Sequence, residues 1–303
     1  MSPGAQGHLA MLGFSALVAG SFSLGSMVAN DISPAAFNAL RFCLAAALVG
    51  AMAMAQGKLT RATFAAPWRY LLLGGFFTIY FVLMFEGLKT APPVSAAAVF
   101  TLVPIMAAGF AWLMLRQILH PRMLLALAVG GAGALWVIFR ADLAALFAFD
   151  IGRGEAIYFL GCVSHAVYTP LVRKLNRGES AVNFTFGTLL AGAVLLLIYT
   201  WGDLRAIDWG ALPPLVWVAL VYVAVFATAI TIVLLQFATL RLPAAKVMAY
   251  TYLTPSWVIV WEMALGNGVP RPLILVGVAL TILALLMLLR DDEKVMVSQF
   301  REP

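Results

Sequence analysis

PAAKVMAYTYLTPSWVIVWEMALGNGVPRP, residues 243–272, is apolar enough to enter a membrane but carries a proline near its middle. Pro255 has no backbone N–H, and its ring clashes with the carbonyl four residues earlier, so the segment cannot form one uninterrupted helix. A similar pattern occurs in PPVSAAAVFTLVPIMAAGFAWLMLRQILHP, residues 92–121. A gapless alignment of the two segments places Pro92 on Pro243, Pro104 on Pro255 and Pro121 on Pro272. The chain therefore contains two related apolar segments, each interrupted at the same place.

The composition of the 303-residue chain excludes a soluble domain. Hydrophobic residues make up 63% of it, charged residues 11%, and the mean hydropathy is +0.99, whereas soluble domains are about half apolar and a quarter charged. Roughly 20 apolar residues cross a bilayer as a helix. The chain offers such runs at 8–29, 34–55, 68–88, 94–115, 122–140, 154–173, 182–200, 212–237, 244–264 and 271–289. We expect an all-α integral membrane protein with ten transmembrane helices.

The aligned segments fall on the fourth and ninth of these spans, which divides the chain into two halves of five spans. Residues 1–150 form the first predicted repeat, and residues 151–303 form the second together with a short cytoplasmic C-terminal tail. Because five is an odd number, the second half enters the membrane from the opposite side, which makes an inverted repeat. Interrupted helices at matching places in inverted halves indicate the central cavity of a transporter.

The cations are unevenly divided between the two predicted faces. The face shared by both termini holds Lys58, Arg61, Arg69, Arg116, Arg122, Arg173, Lys174, Arg177, Arg241, Lys246, Arg290, Lys294 and Arg301, and the other face holds Lys89, Arg140, Arg153, Arg205 and Arg271. The positive-inside rule then places both termini in the cytoplasm. The net charge of +6 follows from this topology. No cation cluster or aromatic platform indicates a nucleic-acid partner, so the expected partners are the lipid bilayer and a small substrate.

Four stretches carry a family resemblance: NALRFCLAAAL (38–48), SAAAVFTLVPIMAA (95–108), KVMAYTYLTPSWVIV (246–260) and GVALTILALLML (277–288). They resemble the drug/metabolite transporter superfamily of the ten-helix, EamA-like type, and the resemblance extends over essentially the whole chain. The chain looks most similar to the bacterial aromatic amino-acid exporters of that superfamily. The resemblance implies amino-acid export across a bacterial inner membrane from a central cavity, by alternating access of the two halves.

One departure from the family pattern limits what is carried over. The family usually ends its fourth and ninth spans with a Gly-Glu pair, and these places here hold Leu115-Arg116 and Gly266-Asn267. A role attached to that glutamate in the family cannot be carried over to this chain.

The two mid-span prolines predict unpaired carbonyl groups. Pro104 removes the donor to the carbonyl of Phe100, and Pro255 removes the donor to the carbonyl of Thr251. Unpaired carbonyls at membrane depth persist only where protein or a wet cavity satisfies them. We therefore expect the broken helices to line the cavity, with Pro104 and Pro255 as hinges. The alternative is a pair of kinks that only shape the packing.

Candidate substrate-binding side chains lie near the middle of the predicted spans: Tyr80, Thr101, His165, Tyr168 and Tyr252. Thr101 and Tyr252 occupy aligned positions of the two repeats. A zwitterionic amino acid suits the set, because the carbonyls of Phe100 and Thr251 accept from an ammonium while His165 and the hydroxyls donate to a carboxylate. For each polar side chain the alternative is ordinary interhelical hydrogen bonding, which needs no ligand.

Charged side chains inside or near the spans have two interpretations each. Arg41, about two turns into the second span, could attract a carboxylate, but we expect it to tie helix ends together by bonding carbonyls. Glu86, Glu155 and Glu262 lie near span ends, where solvation at the interface is expected rather than uptake of a coupling proton.

Other functional classes lack their motifs. There is no HExxH or Walker sequence and no spaced cysteine framework, so we expect no enzyme, cofactor or metal. Two alternatives stay open: a proton-coupled exporter of small cationic drugs or other metabolites, and a passive channel. Ala126, Gly130 and Ala134, spaced by four, favour close helix packing, which suits either a monomer or a weak dimer.

Overall fold

The computed structural model describes residues 2–57, 59, 64–116, 121–148, 150–239, 241, 242, 247 and 249–299, and all regular secondary structure in these ranges is helical. We number the α-helices of this part of the chain in order: α1 (Pro3–Val28), α2 (Pro34–Ala55), α3 (Pro67–Leu88), α4 (Pro93–Phe100), α5 (Val103–Leu115), α6 (Pro121–Ile138), α7 (Leu143–Ala148), α8 (Arg153–Leu175), α9 (Ala181–Tyr199), α10 (Trp201–Ala206), α11 (Pro214–Val221), α12 (Thr231–Thr239), α13 (Thr254–Ala264) and α14 (Pro272–Gln299). A π-helix, Tyr222–Ile230, joins α11 to α12, and a 3₁₀ turn, Tyr250–Leu253, precedes α13.

Eight helices in the described ranges are long and apolar enough to cross a membrane. They are α1, α2, α3, the pair α4–α5, α6, α9, the run from α11 into α12, and α14. The protein is therefore a multi-pass membrane protein. The predicted spans 154–173 and 244–264 are not among the eight: α8 is rich in polar residues, and the second of these segments is only partly described. The short helices α7 and α10 lie where only connecting loops were expected.

Proline occupies one of the first two positions in most of these helices. Pro34, Pro67, Pro93 and Pro214 each occupy one of the first two helical positions. The first N–H groups of a helix have no intrahelical partner, so a proline there sacrifices no hydrogen bond and its fixed φ angle suits the helix. The prolines therefore mark where the chain re-enters the bundle after many of the connections, whereas α8 and α9 begin without one.

The two predicted helix breaks are confirmed. The fourth span ends its first helix at Phe100 and begins its second at Val103, with Pro104 as the second residue of α5. In the other half Pro255 is the second residue of α13, directly after the 3₁₀ turn. In both places proline occupies a first-turn position, where its missing donor is harmless.

The long helices of the two halves pack closely against one another. α3 lies along α8 and α9, α2 along α9, and α6 along α14. Glycine permits the closest approach, because a Cβ atom at Gly133 of α6 would lie 2.6 Å from the carbonyl oxygen of Gly277 of α14. Small residues at such crossings let backbones meet, as is usual between membrane helices.

The small-residue stripe of α6 is used within the chain. Ala126 and Ala134 are buried, and a Cβ atom at Gly130 would collide with the ring of Tyr252. The stripe therefore packs against the 3₁₀ turn and α14 in one molecule.

Five residues named in the sequence analysis lie outside the described ranges, namely Lys58, Arg61, Pro243, Lys246 and Arg301.

Candidate functional site

Aromatic side chains from three helices meet at the middle of the bundle. We call them the ring cluster: Phe77 and Tyr80 of α3, Phe100 of α4, and Tyr158, His165 and Tyr168 of α8. His165 is near the midpoint of α8 (Arg153–Leu175), so the cluster lies at mid-depth of this helix. The geometry places four of the predicted site residues, Tyr80, Phe100, His165 and Tyr168, in one group.

The rings of the cluster lie in mutual contact. The centroids of Tyr80 and His165 are 4.4 Å apart, and those of Phe77 and Tyr168 are 4.8 Å apart with an interplanar angle of 15°. Phe100, at the end of α4, lies 6.1 Å from His165 between centroids. Stacked and tilted rings at these separations attract one another and equally attract a further aromatic ring. The helix break at Thr101 thus lies beside a wall of rings.

Two polar groups give the ring cluster directional chemistry. The hydroxyl oxygens of Tyr80 and Tyr158 are 3.1 Å apart and share a hydrogen bond. Nδ1 of His165 is buried and has no hydrogen-bond partner within the described part of the chain. A buried polar atom without a partner is costly, so His165 is the group of the cluster best prepared to bond a ligand.

Thr101 supports the break rather than facing outward from it. Its side chain is buried, and its hydroxyl donates to the carbonyl of Ala98 at 2.7 Å. The hydroxyl therefore stabilises the last turn of α4. Whether Thr101 also contacts substrate stays a prediction.

The structure places Tyr252 apart from the ring cluster. Tyr252 packs against Gly130 of α6, with Ala126 and Leu127 among its buried neighbours. Its hydroxyl is buried and has no hydrogen-bond partner in the described ranges. The 3₁₀ turn directs this side chain towards α6 and α14, so the two aligned positions, Thr101 and Tyr252, have different surroundings.

The expectation of an unpaired carbonyl at Thr251 is wrong. The backbone N–H of Thr254 donates to that carbonyl, because the chain tightens into a 3₁₀ turn in which residue i bonds residue i+3. The tighter turn replaces the bond that Pro255 could not make. The corresponding turn at Phe100 has N–H groups of Thr101 and Leu102 directed to Ala97, Ala98 and Val99.

Arg41 of α2 is buried next to the ring cluster. Its guanidinium carbon lies 3.8 Å from the ring centroid of Phe81, and the rings of Phe81 and Tyr80 are 4.6 Å apart. Nε and Nη2 both donate to the hydroxyl of Thr228 in the π-helix, at 3.3 and 3.1 Å. We expected Arg41 to bond carbonyl groups at helix ends. It bonds instead the hydroxyl of Thr228, in the middle of another span. That hydroxyl in turn donates to the carbonyl of Val223, five residues back in the π-helix.

The three glutamates near the span ends differ in their surroundings. Glu86 pairs with Lys89 at 2.8 Å, and Glu262 accepts from the amide of Asn267 at 2.9 Å. Glu155 is 2% exposed and accepts from the hydroxyl of Ser95 in α4 at 2.8 Å. The expectation of interfacial solvation is therefore wrong for Glu155, because α4 covers it. Its place in the first turn of α8 favours a carboxylate there.

Phe77 and Tyr158 are cluster residues that the sequence argument missed. Tyr158 precedes His165 by two helical turns, and Phe77 precedes Tyr80 by three residues, so each shares a helix face with a residue that was identified. Helical spacing was the signal that could have found them.

Among the described residues no three His, Cys, Asp or Glu side chains lie close enough together to bind a metal ion.

Comparison with known proteins gives consistent results. The model of the EamA-like transporter family matches residues 5–139 and again residues 152–290. An uncharacterised transporter of Bacillus subtilis (strain 168), YyaM, is 25% identical over 289 residues, which cover 92% of each chain. A protein of known crystal structure shares the fold with a TM-score of 0.68 at 21% identity, over 95% of this chain and 97% of the other. Because the family model accounts for most of its length, the chain belongs to the EamA-like transporter family.

Proposed function

We propose that the protein exports amino acids, with aromatic or large apolar side chains, across a bacterial inner membrane by alternating access. The observation that carries the proposal is the ring cluster at mid-depth beside the broken fourth span, in which Nδ1 of His165 has no partner among the described residues. Rings stack on an aromatic side chain of the substrate, and the imidazole bonds its polar end. Predicted contacts also include Tyr80, Tyr168 and the backbone at Phe100.

The proposed architecture is ten spans in two inverted five-span repeats, residues 1–150 and 151–303, around a central cavity. The two successive matches of one family model, to residues 5–139 and 152–290, support two halves. The two proline breaks at corresponding places support a pair of discontinuous helices, which in transporters meet at the substrate site. Pro104 and Pro255 are the proposed hinges, and Thr101, Thr251 and Tyr252 are the proposed polar residues near them.

The proposed setting follows from the charge distribution. Both termini face the cytoplasm, since the cations lie mainly on that side. The bilayer and a small amino acid are the proposed partners, with no nucleic acid, and the protein acts as a monomer or weak dimer.

A second candidate function is proton-coupled export of a small cationic drug. Burial of Glu155 between α8 and α4 favours it, because a carboxylate inside a transporter bundle is a candidate site for a coupling ion or a cationic substrate.

Proteoliposomes containing only this protein test both candidates. We would measure uptake of radiolabelled phenylalanine, tryptophan, threonine and tetraphenylphosphonium, with and without an imposed proton gradient. Saturable flux of phenylalanine and tryptophan without a gradient, with threonine slower, is expected for the amino-acid exporter. Movement of tetraphenylphosphonium alone, only with the gradient and faster than into protein-free liposomes, would establish the second candidate. Flux that does not saturate would indicate a passive channel.

A further inference from the structure

Arg41 carries a buried positive charge that no carboxylate of the described residues neutralises. The ion pairs in the described ranges join Arg69 to Glu179 and Lys89 to Glu86. The Arg41 side chain is 2% exposed, and burial of an unpaired charge is costly both in protein interiors and at membrane depth. Such a charge at such a depth indicates a functional partner.

The guanidinium also has a donor group that no described residue uses. Both bonds from Nε and Nη2 go to the single hydroxyl of Thr228. Nη1 is buried and has no partner among the described residues. Since a guanidinium presents its N–H groups as a fork that matches a carboxylate, one arm of this fork remains available.

Asn38 supplies an unused acceptor on the same face of α2. Its Nδ2 donates to the carbonyls of Pro34 at 2.8 Å and Phe81 at 3.3 Å. Because both partners are acceptors, they determine which end of the amide is nitrogen. The other end, Oδ1, is buried and has no partner in the described part of the chain. Asn38 and Arg41 are three residues apart, so an unused acceptor and an unused donor are neighbours on the helix surface.

Phe81 connects these two side chains to the ring cluster. Its carbonyl bonds Asn38, its ring underlies Arg41, and the same ring contacts Tyr80. A ligand with an aromatic ring in the cluster therefore has its polar end within reach of α2.

We propose that Asn38 and Arg41 form a polar subsite for the backbone of an amino-acid substrate, in which Nη1 of Arg41 holds the carboxylate and Oδ1 of Asn38 holds the ammonium. The subsite rests on the proposed amino-acid transport and specifies which groups of the substrate it recognises. One guanidinium suits one carboxylate. Both atoms are enclosed in this structure, so the substrate reaches them when α2, α3 and the π-helix separate during the transport cycle.

Three ligands that share a phenyl ring allow the contact of Arg41 with the carboxylate and the contact of Asn38 with the ammonium to be tested separately. Phenylalanine has both charged groups, phenethylamine lacks the carboxylate, and 3-phenylpropionate lacks the ammonium. Their KM values would be measured in proteoliposomes for the wild type, Arg41→Gln and Asn38→Leu. Loss of a hydrogen bond to a charged group corresponds to roughly a 30-fold change in affinity. We expect Arg41→Gln to raise KM about 30-fold for phenylalanine and 3-phenylpropionate and to leave phenethylamine unchanged. Asn38→Leu should raise KM for phenylalanine and phenethylamine only.

Arg69→Gln is the matched control. It removes another buried arginine, at the start of α3, whose partner is Glu179. We expect it to reduce the amount of folded protein and to leave the ratios of the three KM values unchanged. If Arg41→Gln raises all three KM values equally, Arg41 has a structural role and the subsite is overturned while amino-acid transport stands. If Arg41→Gln does not fold, Arg41→Lys takes its place, since it keeps the charge and loses the fork.

If the wild type transports none of these ligands, the subsite is tested by ligand binding instead of transport. That result contradicts the proposed function. The thermal midpoint of the detergent-solubilised protein would then be measured with 3-phenylpropionate. Stabilisation of the wild type but not of Arg41→Gln would retain a carboxylate subsite at Arg41, and stabilisation of neither would overturn it.

Discussion

At the scale of single residues, His165 combines an aromatic ring with a buried polar nitrogen that no described residue bonds. Its ring lies among Tyr80, Phe100 and Tyr168, yet Nδ1 has no partner in the described ranges. An imidazole surrounded by rings is well packed as an aromatic group but unsatisfied as a polar one. The substrate supplies the missing hydrogen bond in the proposed function.

Replacing His165 by phenylalanine keeps a ring in the cluster and removes the nitrogen. We expect His165→Phe to raise KM for phenylalanine about tenfold, because one ligand hydrogen bond is lost. Proteoliposome uptake measures it. Tyr199→Phe is the control: it removes a hydroxyl at the exposed end of α9, outside the ring cluster, and should leave KM unchanged. An unchanged KM in His165→Phe would mean that His165 acts through packing alone.

Glu179 provides a prediction outside the membrane-spanning helices. Partial burial raises the pKa of its carboxyl, but hydrogen bonds from the Arg69 guanidinium and the Arg177 backbone outweigh burial and leave the pKa below its usual value. A carboxyl with a lowered folded-state pKa stabilises the fold above its unfolded-state pKa, about 4.3, and loses that contribution as the pH falls through the folded-state value.

We expect Glu179→Gln to lower the thermal midpoint at pH 7, and we expect its difference from wild type to shrink below about pH 4.3. Thermal unfolding of the detergent-solubilised protein at several pH values measures this. Glu86→Gln is the control, because its pair with Lys89 is partly exposed and contributes little. A difference that stays constant down to acid pH would contradict the assigned role of the Arg69–Glu179 pair.

At the scale of elements, the broken fourth span follows from one covalent property of proline. Pro104 has no N–H for the carbonyl of Phe100, and the chain ends α4 there. Pro104→Ala restores that donor, so we expect α4 and α5 to join into one helix. If the break is a hinge, maximal uptake velocity falls while KM changes little.

The control for Pro104→Ala is Pro214→Ala. Pro214 begins α11 and interrupts no span, so its replacement should leave the uptake velocity unchanged. Unaltered kinetics of Pro104→Ala would show that the break only shapes the packing. A matching decrease in both variants would indicate a general loss of folded protein.

Elements differ in how far sequence alone predicts them. The helix breaks were predictable because the missing donor of proline acts locally. The π-helix was not, since YVAVFATAI (222–230) reads as an ordinary apolar helix and the wider turn goes with a bond from the Thr228 hydroxyl to the carbonyl of Val223. The place of Tyr252 was also missed, because the 3₁₀ turn changes the direction of its side chain.

In the candidate site, the sequence predicts some of the residues but not the contacts between them. Tyr80, His165 and Tyr168 were identified because polar and aromatic side chains at mid-span are unusual. The closeness of Asn38, Arg41 and Phe81 was not predictable, since it depends on how α2 and α3 are rotated against each other. Rotation is set by packing over the whole bundle rather than by any local sequence signal.

At the scale of the whole molecule, the proposed orientation gives a direct test. Arg177 lies between α8 and α9, and Asp208 lies between α10 and α11, and both are exposed. In a Cys43→Ser, Cys162→Ala background, we expect Asp208→Cys in intact cells to react with a membrane-impermeant maleimide. Arg177→Cys should react only after the membrane is opened. The reverse pattern would place the termini outside the cytoplasm.

The polarity of α8 has a consequence for how the chain is made. This helix carries Arg153, Glu155, His165, Arg173 and Lys174 and is not among the eight segments apolar enough to cross a membrane by composition. A segment of this kind gains too little from lipid to leave the translocon unaided. α3 and α5, both synthesised before it, are its main packing partners in the finished bundle. We therefore expect α8 to leave the translocon against these two helices, so that biogenesis of the site depends on the helices made before it.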